Sequence, residues 1–181
     1  MKSQLFASLL GSWLMIACIV GIGPAQAHVG DHMPDSVAEM EYRILLEFKP
    51  NEFATRIKLA MVLMNQNKLA EAEIEFNLAL AKSPRNLSAH FGLSQLKLKQ
   101  KKTAAALEII KKALEIAPEN PTVYLNYGRI LEADNLPEKA SQIYKIGLKK
   151  WDINHKYPEA AEDRQQLYQA LRNIRNKQNQ K

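Results

Sequence analysis

Alanine recurs along this chain at one fixed interval, at Ala38, Ala72, Ala106 and Ala140. Three further series keep the same interval: Tyr42, Phe76, Ile110 and Tyr144; Leu45, Ala79, Ala113 and Gly147; and Pro50, Pro84 and Pro118. A fixed interval of about 34 residues indicates a supersecondary unit that is stacked on copies of itself. This repeat interval therefore constrains the architecture before any residue-level chemistry is considered.

Apolar residues within each unit follow the spacing of helices. The first unit has two such runs, Ile57, Leu59, Ala60, Leu63 and Met64, followed by Ala72, Phe76, Ala79 and Leu80. Steps of three and four residues predict two amphipathic helices, which are separated by the polar turn at 65–68. Pro50, Pro84 and Pro118 stop the second helix and turn the chain into the next pair. Each unit is thus predicted to be a pair of packed helices.

The pattern resembles the tetratricopeptide repeat family, whose motif has a Leu-Gly pair in the first helix and Ala, Phe, Ala and Pro in the second. The matching residues are Leu59-Ala60, Leu93-Ser94 and Tyr127-Gly128 in the first helices, and in the second helices Ala72, Phe76, Ala79 and Pro84, then Ala106, Ile110, Ala113 and Pro118, then Ala140, Tyr144 and Gly147. The large residue that opens the motif varies and is Arg56, His90 or Tyr124. Asp152 stands where a fourth proline is expected.

The resemblance implies an all-α fold, a right-handed superhelix of antiparallel helix pairs over residues 36–152. We predict a half-repeat at 36–50, which matches only the second half of a unit, and full repeats at 53–86, 87–120 and 121–154. Residues 155–181 are predicted to form a capping helix and tail. Leu167, Leu171 and Ile174 would give that helix one narrow buried stripe, as a solenoid end requires.

Residues 1–27 have the pattern of a secretory signal. Lys2 precedes an uncharged, mostly apolar run over 5–22, and Ala25-Gln26-Ala27 supplies small residues for cleavage after Ala27. We therefore predict an exported protein, in a bacterial periplasm, with a flexible tail at 28–35. An uncleaved membrane anchor is one alternative, because the apolar run approaches the length of a spanning helix. Lipid attachment at Cys18 is a second alternative.

Composition excludes several classes of site. Cys18 is the only cysteine, so a chain cut after Ala27 can hold no disulfide, thiolate metal site or cysteine nucleophile. The net charge is +6, and the basic residues alternate with apolar ones on helices. This pattern is typical of a solvated helical face or of contact with an anionic protein or membrane surface. Without interleaved aromatic residues it does not indicate nucleic-acid binding.

Catalytic motifs are missing from the sequence. It has no glycine-rich phosphate loop, no HExxH and no G-x-S-x-G, so neither an enzyme nor a cofactor is predicted. A mature N-terminus at His28 could chelate Cu²⁺ or Zn²⁺ through its α-amine and the imidazoles of His28 and His32. A tail without metal is the simpler interpretation, and no metal site is predicted. His90 occupies the motif's large-residue position, which favours core packing.

The resemblance also implies a binding surface, because the first helices of this family line the concave side of the array. Twelve residues are predicted to line this groove: Ile57, Lys58, Met61, Met64, Asn65, Phe91, Gln95, Leu98, Lys99, Leu125, Asn126 and Arg129. The apolar series Ile57, Phe91 and Leu125 keeps the repeat interval and favours an apolar or helical ligand segment. The alternative is that the C-terminal helix folds back and fills this stripe. A carboxylate clamp is not predicted.

These observations predict a non-catalytic scaffold or assembly factor that binds a segment of another protein in the concave groove. Aspartate at Phe91 and Leu125 is expected to abolish this binding without unfolding the chain. One alternative function is an accessory role in copper handling or cytochrome c maturation, by analogy with relatives that have short repeat arrays. Another is a membrane-anchored structural subunit of an envelope complex. Contact with a membrane is expected only if the N-terminal segment is uncleaved or Cys18 is lipidated.

Overall fold

The computed structural model describes residues 34–153 and 161–180. These ranges form eight helices: α1 Asp35–Phe48, α2 Phe53–Asn65, α3 Leu69–Lys82, α4 Leu87–Lys99, α5 Thr103–Ile116, α6 Pro121–Ala133, α7 Pro137–Ile153 and α8 Ala161–Asn179. No strand occurs in the described part of the chain. The predicted all-α fold is therefore confirmed.

Consecutive helices pack as pairs, α2 with α3, α4 with α5 and α6 with α7. Each first helix also packs against the first helix of the next pair, so that α2, α4, α6 and α8 form one continuous row. The second helices α3, α5 and α7 lie behind this row. Helix α1 packs on α2 as a second helix without its first, and α8 packs on α6 and α7 as the next first helix would. The predicted solenoid, with its half-repeat and capping helix, is confirmed.

The predicted signal sequence, its cleavage after Ala27, lipid attachment at Cys18 and metal binding by His28 and His32 all lie outside the described residues. None of the described helices has both the length and the apolar character needed to cross a bilayer.

The turn inside each pair depends on one left-handed residue. Asn67, Lys101 and Asn135 stand one repeat interval apart and have φ angles of 63°, 59° and 57°. After each of them, the next backbone N–H donates to a carbonyl five residues earlier, as in the bond of 2.8 Å from Lys68 to Leu63. This hydrogen bond satisfies a free carbonyl at the end of the first helix. Asparagine tolerates the left-handed region, whereas lysine is strained there.

Lys101→Gly is expected to raise the free energy of unfolding by about 0.5 to 1 kcal/mol, because glycine removes the steric cost of the left-handed conformation. Lys102→Gly is the control, since Lys102 has a φ of −99° and gains nothing from glycine. Urea denaturation followed by circular dichroism measures both changes. Equal effects of the two substitutions would contradict strain at Lys101.

The varied residue that opens each motif makes the same hydrogen bond in all three repeats. Its side chain donates to the carbonyl of the proline six residues earlier. These bonds join Arg56 to Pro50 at 2.7 Å, His90 to Pro84 at 2.9 Å and Tyr124 to Pro118 at 2.6 Å. His90 is buried, as predicted from its position in the motif. The three residue types found at this motif position differ in shape, but each supplies a side-chain hydrogen-bond donor to the turn between repeats.

Large side chains of the second helices press against glycines in the row of first helices. A Cβ atom at Gly92 would lie 2.3 Å from Phe76 Cε1, and one at Gly128 would lie 2.1 Å from Tyr144 Cε1. Both rings are fully buried. The glycines that face the two rings differ in position, since Gly92 belongs to the pair after Phe76 while Gly128 belongs to the same pair as Tyr144. Glycine is required at each contact because real Cβ atoms do not approach ring atoms so closely.

Candidate functional site

The predicted groove residues divide into three groups by exposure. Ile57, Met64, Leu125 and Asn126 are buried. Phe91 and Leu98 are half-buried, and the exposed residues are Lys58, Met61, Asn65, Gln95, Lys99 and Arg129. The repeated apolar series is therefore not a water-facing stripe. Ile57 and Leu125, the first and last residues of this series, belong to the core, because adjacent first helices pack directly against each other.

Leu125 lies in the C-terminal core cluster with Leu148 and Leu167 and is 1% exposed. A carboxylate at this position would be buried without a partner, which is strongly unfavourable. The sequence-based expectation that Leu125→Asp would leave the fold intact is therefore wrong. Only a substitution of the exposed groove residues can test binding without unfolding the chain.

Helix α8 extends the row of first helices beyond α6. This row is called the concave row, because the family resemblance places the first helices on the concave side. Arg129 Nη2 donates to Gln166 Oε1 at 2.6 Å, and the Thr122 hydroxyl donates to Asp163. Between α6 and α8 lies a cavity of about 320 Å³, whose lining includes Leu125, Arg129, Gln166, Gln169 and Asn173. The alternative in which α8 fills the stripe thus applies only at this end, where α8 helps to cover Leu125.

The polar residues that α8 contributes to the concave row, Gln166, Gln169 and Asn173, were missed by the sequence reasoning. A signal for them does exist. Leu167 and Ile174 are seven residues apart and buried, as are Val123 and Ile130 on α6. Leu167 and Ile174 cluster with Tyr144 of the preceding second helix, as Val123 and Ile130 cluster with Ile110. This packing marks α8 as a further first helix, but its register is shifted by ten residues from the repeat interval. The ten additional residues before α8 therefore conceal the match.

The exposed charges of the concave row are mostly positive. Neither α2 nor α4 contains an aspartate or glutamate. Two of their cations face the second helices, since Arg56 pairs with Glu75 at 2.7 Å and Lys97 with Glu73 at 2.5 Å. Hydrogen bonds from Lys97 and then Gln100 lower the pKa of Glu73. Glu75 and Glu73 therefore neutralise only Arg56 and Lys97, the two cations that face the second helices.

Lys58, Lys99 and Arg129 remain exposed on the first helices. Lys99 Nζ donates to the Met64 carbonyl at 2.9 Å, which holds its charge near the C-terminal end of α2. Met61, beside Lys58 on α2, is 44% exposed and offers an adaptable apolar contact. This part of the first helices therefore combines exposed positive charge with an exposed apolar side chain.

Asn126 has a structural role between neighbouring repeats. Its amide nitrogen donates to the Thr122 carbonyl at 2.9 Å, and its oxygen accepts a longer bond of 3.4 Å from Gln95. Asn126 is 6% exposed, so these contacts occupy most of the side chain. Gln95, by contrast, is exposed.

The described residues contain no group of three or more His, Cys, Asp and Glu side chains that could hold a metal ion. His90 donates to a backbone carbonyl, and Tyr144 donates to Glu132. Burial, aided by the bond to Glu132, raises the pKa of Tyr144, so its phenol stays protonated. The exposed side chains of the first helices offer charge, hydrogen bonding and apolar contact.

Family profiles described as tetratricopeptide repeat match this sequence twice, over residues 57–121 and 97–150. Together the two matches span residues 57–150, which is more than half of the chain. No curated protein matches the sequence.

Several solved structures share the fold. A thermophilic tetratricopeptide repeat protein from Thermus thermophilus has a TM-score of 0.64 and 19% identity, covering 77% of this chain and 72% of its own. MamA has a TM-score of 0.55 and 16% identity, covering 81% of this chain and 90% of its own. The Yersinia enterocolitica type III secretion chaperone SycD, in complex with a peptide of the translocator YopD, has a TM-score of 0.56 and 14% identity, covering 69% and 93%.

Proposed function

This chain belongs to the tetratricopeptide repeat family, and we propose that it is a non-catalytic protein that binds a segment of another protein on its concave row of helices. The observation that carries this proposal is the exposed set of Lys58, Met61, Lys99 and Arg129 on neighbouring first helices. These residues combine positive charge with an apolar contact. The partner segment is accordingly expected to carry carboxylates next to apolar side chains.

One further observation supports a binding role, and another concerns where binding takes place. The structure of SycD contains a peptide of its translocator, so a protein of similar fold accepts a peptide ligand. The N-terminal sequence pattern, which lies outside the described residues, supports the further proposal that binding takes place in the bacterial periplasm.

A photo-crosslinking amino acid at position 61 is expected to capture one defined protein from the native envelope fraction. The matched control carries the same crosslinker at position 74, because Ile74 is 57% exposed on α3 and Met61 is 44% exposed on α2. Mass spectrometry identifies the crosslinked segment, which is then synthesised as a peptide and titrated against the purified chain. The same capture from both positions would contradict a site on the concave row.

Reversing two concave charges, with Lys58→Glu and Arg129→Glu together, is expected to weaken binding of that peptide by about tenfold or more, because both cations would then repel its carboxylates. Lys82→Glu with Lys112→Glu is the control and changes the net charge equally on α3 and α5. Isothermal titration at two salt concentrations separates a local effect from a general one. Equal weakening by both pairs would show that net charge, and not the concave row, decides binding.

A further inference from the structure

The two ends of the helix array are each missing one half of a helix pair. Helix α1 packs on α2 as a second helix, with no first helix before it among the described residues. Helix α8 packs on α6 and α7 as a first helix, with no second helix after it among the described residues. Each end therefore presents a helix face that would be covered inside a longer array.

The exposed face of α1, here called the head, is apolar with acidic residues. It consists of Val37, Met40, Ile44, Leu45 and Phe48, all exposed, with Phe48 at 80%. The opposite face packs on the array through Ala38, Tyr42 and Leu46. The exposed Glu41 lies within the head, and the exposed Glu47 lies at its edge. A helix with apolar residues on both faces is suited to packing between two neighbours.

The opposite end of the array, here called the tail, is an open groove between α7 and α8 with a volume of about 760 Å³. Its lining includes the apolar residues Tyr168 and Leu171 and the cations Lys145, Arg172 and Arg175, and contains no carboxylate. Tyr168 is 51% exposed. The guanidinium of Arg164 lies 5.4 Å from the Tyr168 ring centre and helps to hold the ring in place.

We propose that the chain associates with itself head to tail, with α1 of one copy seated in the α7–α8 groove of the next. The head offers apolar side chains with carboxylates, and the tail offers apolar side chains with cations, so the two faces complement each other in charge. Contact between two heads would instead bring Glu41 and Glu47 near the same carboxylates of the other copy. The expected interface is therefore heterologous and leaves one head and one tail free in every open assembly.

The tail does not reproduce the close packing found inside the array. From the buried pair Leu167 and Ile174, Arg172 has the register position that Gly128 has on α6. A Cβ atom at Gly128 would already collide with Tyr144, so an arginine at this position keeps an incoming helix at a greater distance. Its guanidinium can then reach the carboxylates of the head. The contact between copies is consequently expected to be reversible, unlike the contacts between repeats.

The test uses analytical ultracentrifugation of the purified chain over a range of concentrations. Ile44→Glu with Phe48→Glu disables the head, and Arg172→Glu with Arg175→Glu disables the tail. At concentrations at which the unmodified chain associates, each variant alone is expected to be monomeric. Loss of central interface side chains of this kind weakens an interface by about 30-fold or more. An equimolar mixture of the two variants is expected to form a one-to-one dimer and nothing larger, because only one intact head and one intact tail remain.

Matched controls keep the same chemistry elsewhere on the surface. Leu78 stands one repeat interval after Ile44 and has a similar exposure, 42% against 47%, so Leu78→Glu is expected to leave association unchanged. Lys82→Glu with Lys112→Glu is the control for charge. Circular dichroism checks folding, and Glu41→Arg provides a second head variant that removes no apolar group.

Three results would overturn the proposal. The unmodified chain could sediment as a monomer at every concentration. The tail variant could still associate with itself, which would indicate a head-to-head contact. Finally, the mixture of head and tail variants could remain monomeric although both are folded. These results do not bear on the concave row, because capture at position 61 is measured separately.

Discussion

Gly128→Ala is expected to lower the free energy of unfolding by about 3 kcal/mol, near the upper end of the cost of overpacking a core. The added Cβ would lie 2.1 Å from Cε1, 2.5 Å from Cδ1 and 2.6 Å from Cζ of Tyr144. The ring cannot turn away easily, because it is fully buried and its hydroxyl is bonded to Glu132. Thermal unfolding is expected at a temperature lower by about 10 °C.

The natural control for Gly128→Ala is the middle repeat. There the position of Tyr144 is occupied by Ile110, and the position of Gly128 is occupied by Ser94, which is buried without a glycine. Tyr144→Ile should therefore make room for a Cβ atom at position 128. In that background Gly128→Ala is expected to cost less than about 1 kcal/mol, which gives a coupling free energy of about 2 kcal/mol between the two sites.

Denaturant titrations of the four proteins of this double-mutant cycle measure the coupling. If Gly128→Ala were equally destabilising with tyrosine and with isoleucine at position 144, the contact with the ring would not be the cause. A difference in helix propensity cannot cause the expected loss of stability. Alanine is a better helix former than glycine, so without the clash the substitution should stabilise α6.

The close contact at Gly128 could be anticipated from the sequence, whereas the one at Gly92 could not. The repeat interval places a small residue at positions 60, 94 and 128, and a large one at positions 76, 110 and 144. Periodicity cannot tell which neighbouring helix a buried ring meets, because a second helix lies between two first helices. Phe76 occupies the same position in the repeat as Tyr144, but it contacts Gly92 of the next pair. The glycine that faces Phe76 therefore has a different position in the repeat from Gly128.

The fold was more predictable than the site for a physical reason. Helix pairs can be predicted from the spacing of apolar residues within one segment, and α1 to α7 contain that spacing in full. Exposure of a groove residue depends on how closely neighbouring first helices approach. Ile57 and Leu125 were assigned to the groove because the family resemblance places their positions on the concave side, yet both are buried between adjacent helices.

Leu167→Asp is expected to lower the free energy of unfolding by about 4 kcal/mol or more, because it removes a buried leucine and buries an unpaired carboxylate. Leu167 is fully buried in the cluster that contains Leu125, Tyr144 and Leu148. Such a loss is a large part of the stability of a typical domain. Gln165→Asp is the control, since Gln165 is exposed two residues earlier on the same helix.

The position of Trp151 allows detachment of α8 to be distinguished from global unfolding. The guanidinium of Arg164 on α8 lies 4.5 Å from the centre of the Trp151 ring on α7. If α8 detaches alone, tryptophan fluorescence changes at a lower urea concentration than circular dichroism does. Coincident transitions would instead show that α8 unfolds together with the repeats. Identical stability of Leu167→Asp and Gln165→Asp would contradict the assignment of Leu167 to the core.

The same variant separates the contribution of α8 to partner binding from that of the repeats. Detachment of α8 removes the cavity beside Arg129 and uncovers Leu125, but the contacts of Met61 and Lys99 belong to α2 and α4. If capture at position 61 persists in Leu167→Asp, the three repeats suffice for binding without α8. If capture is lost while circular dichroism still reports folded repeats, the partner segment also contacts the part of the concave row that α8 provides.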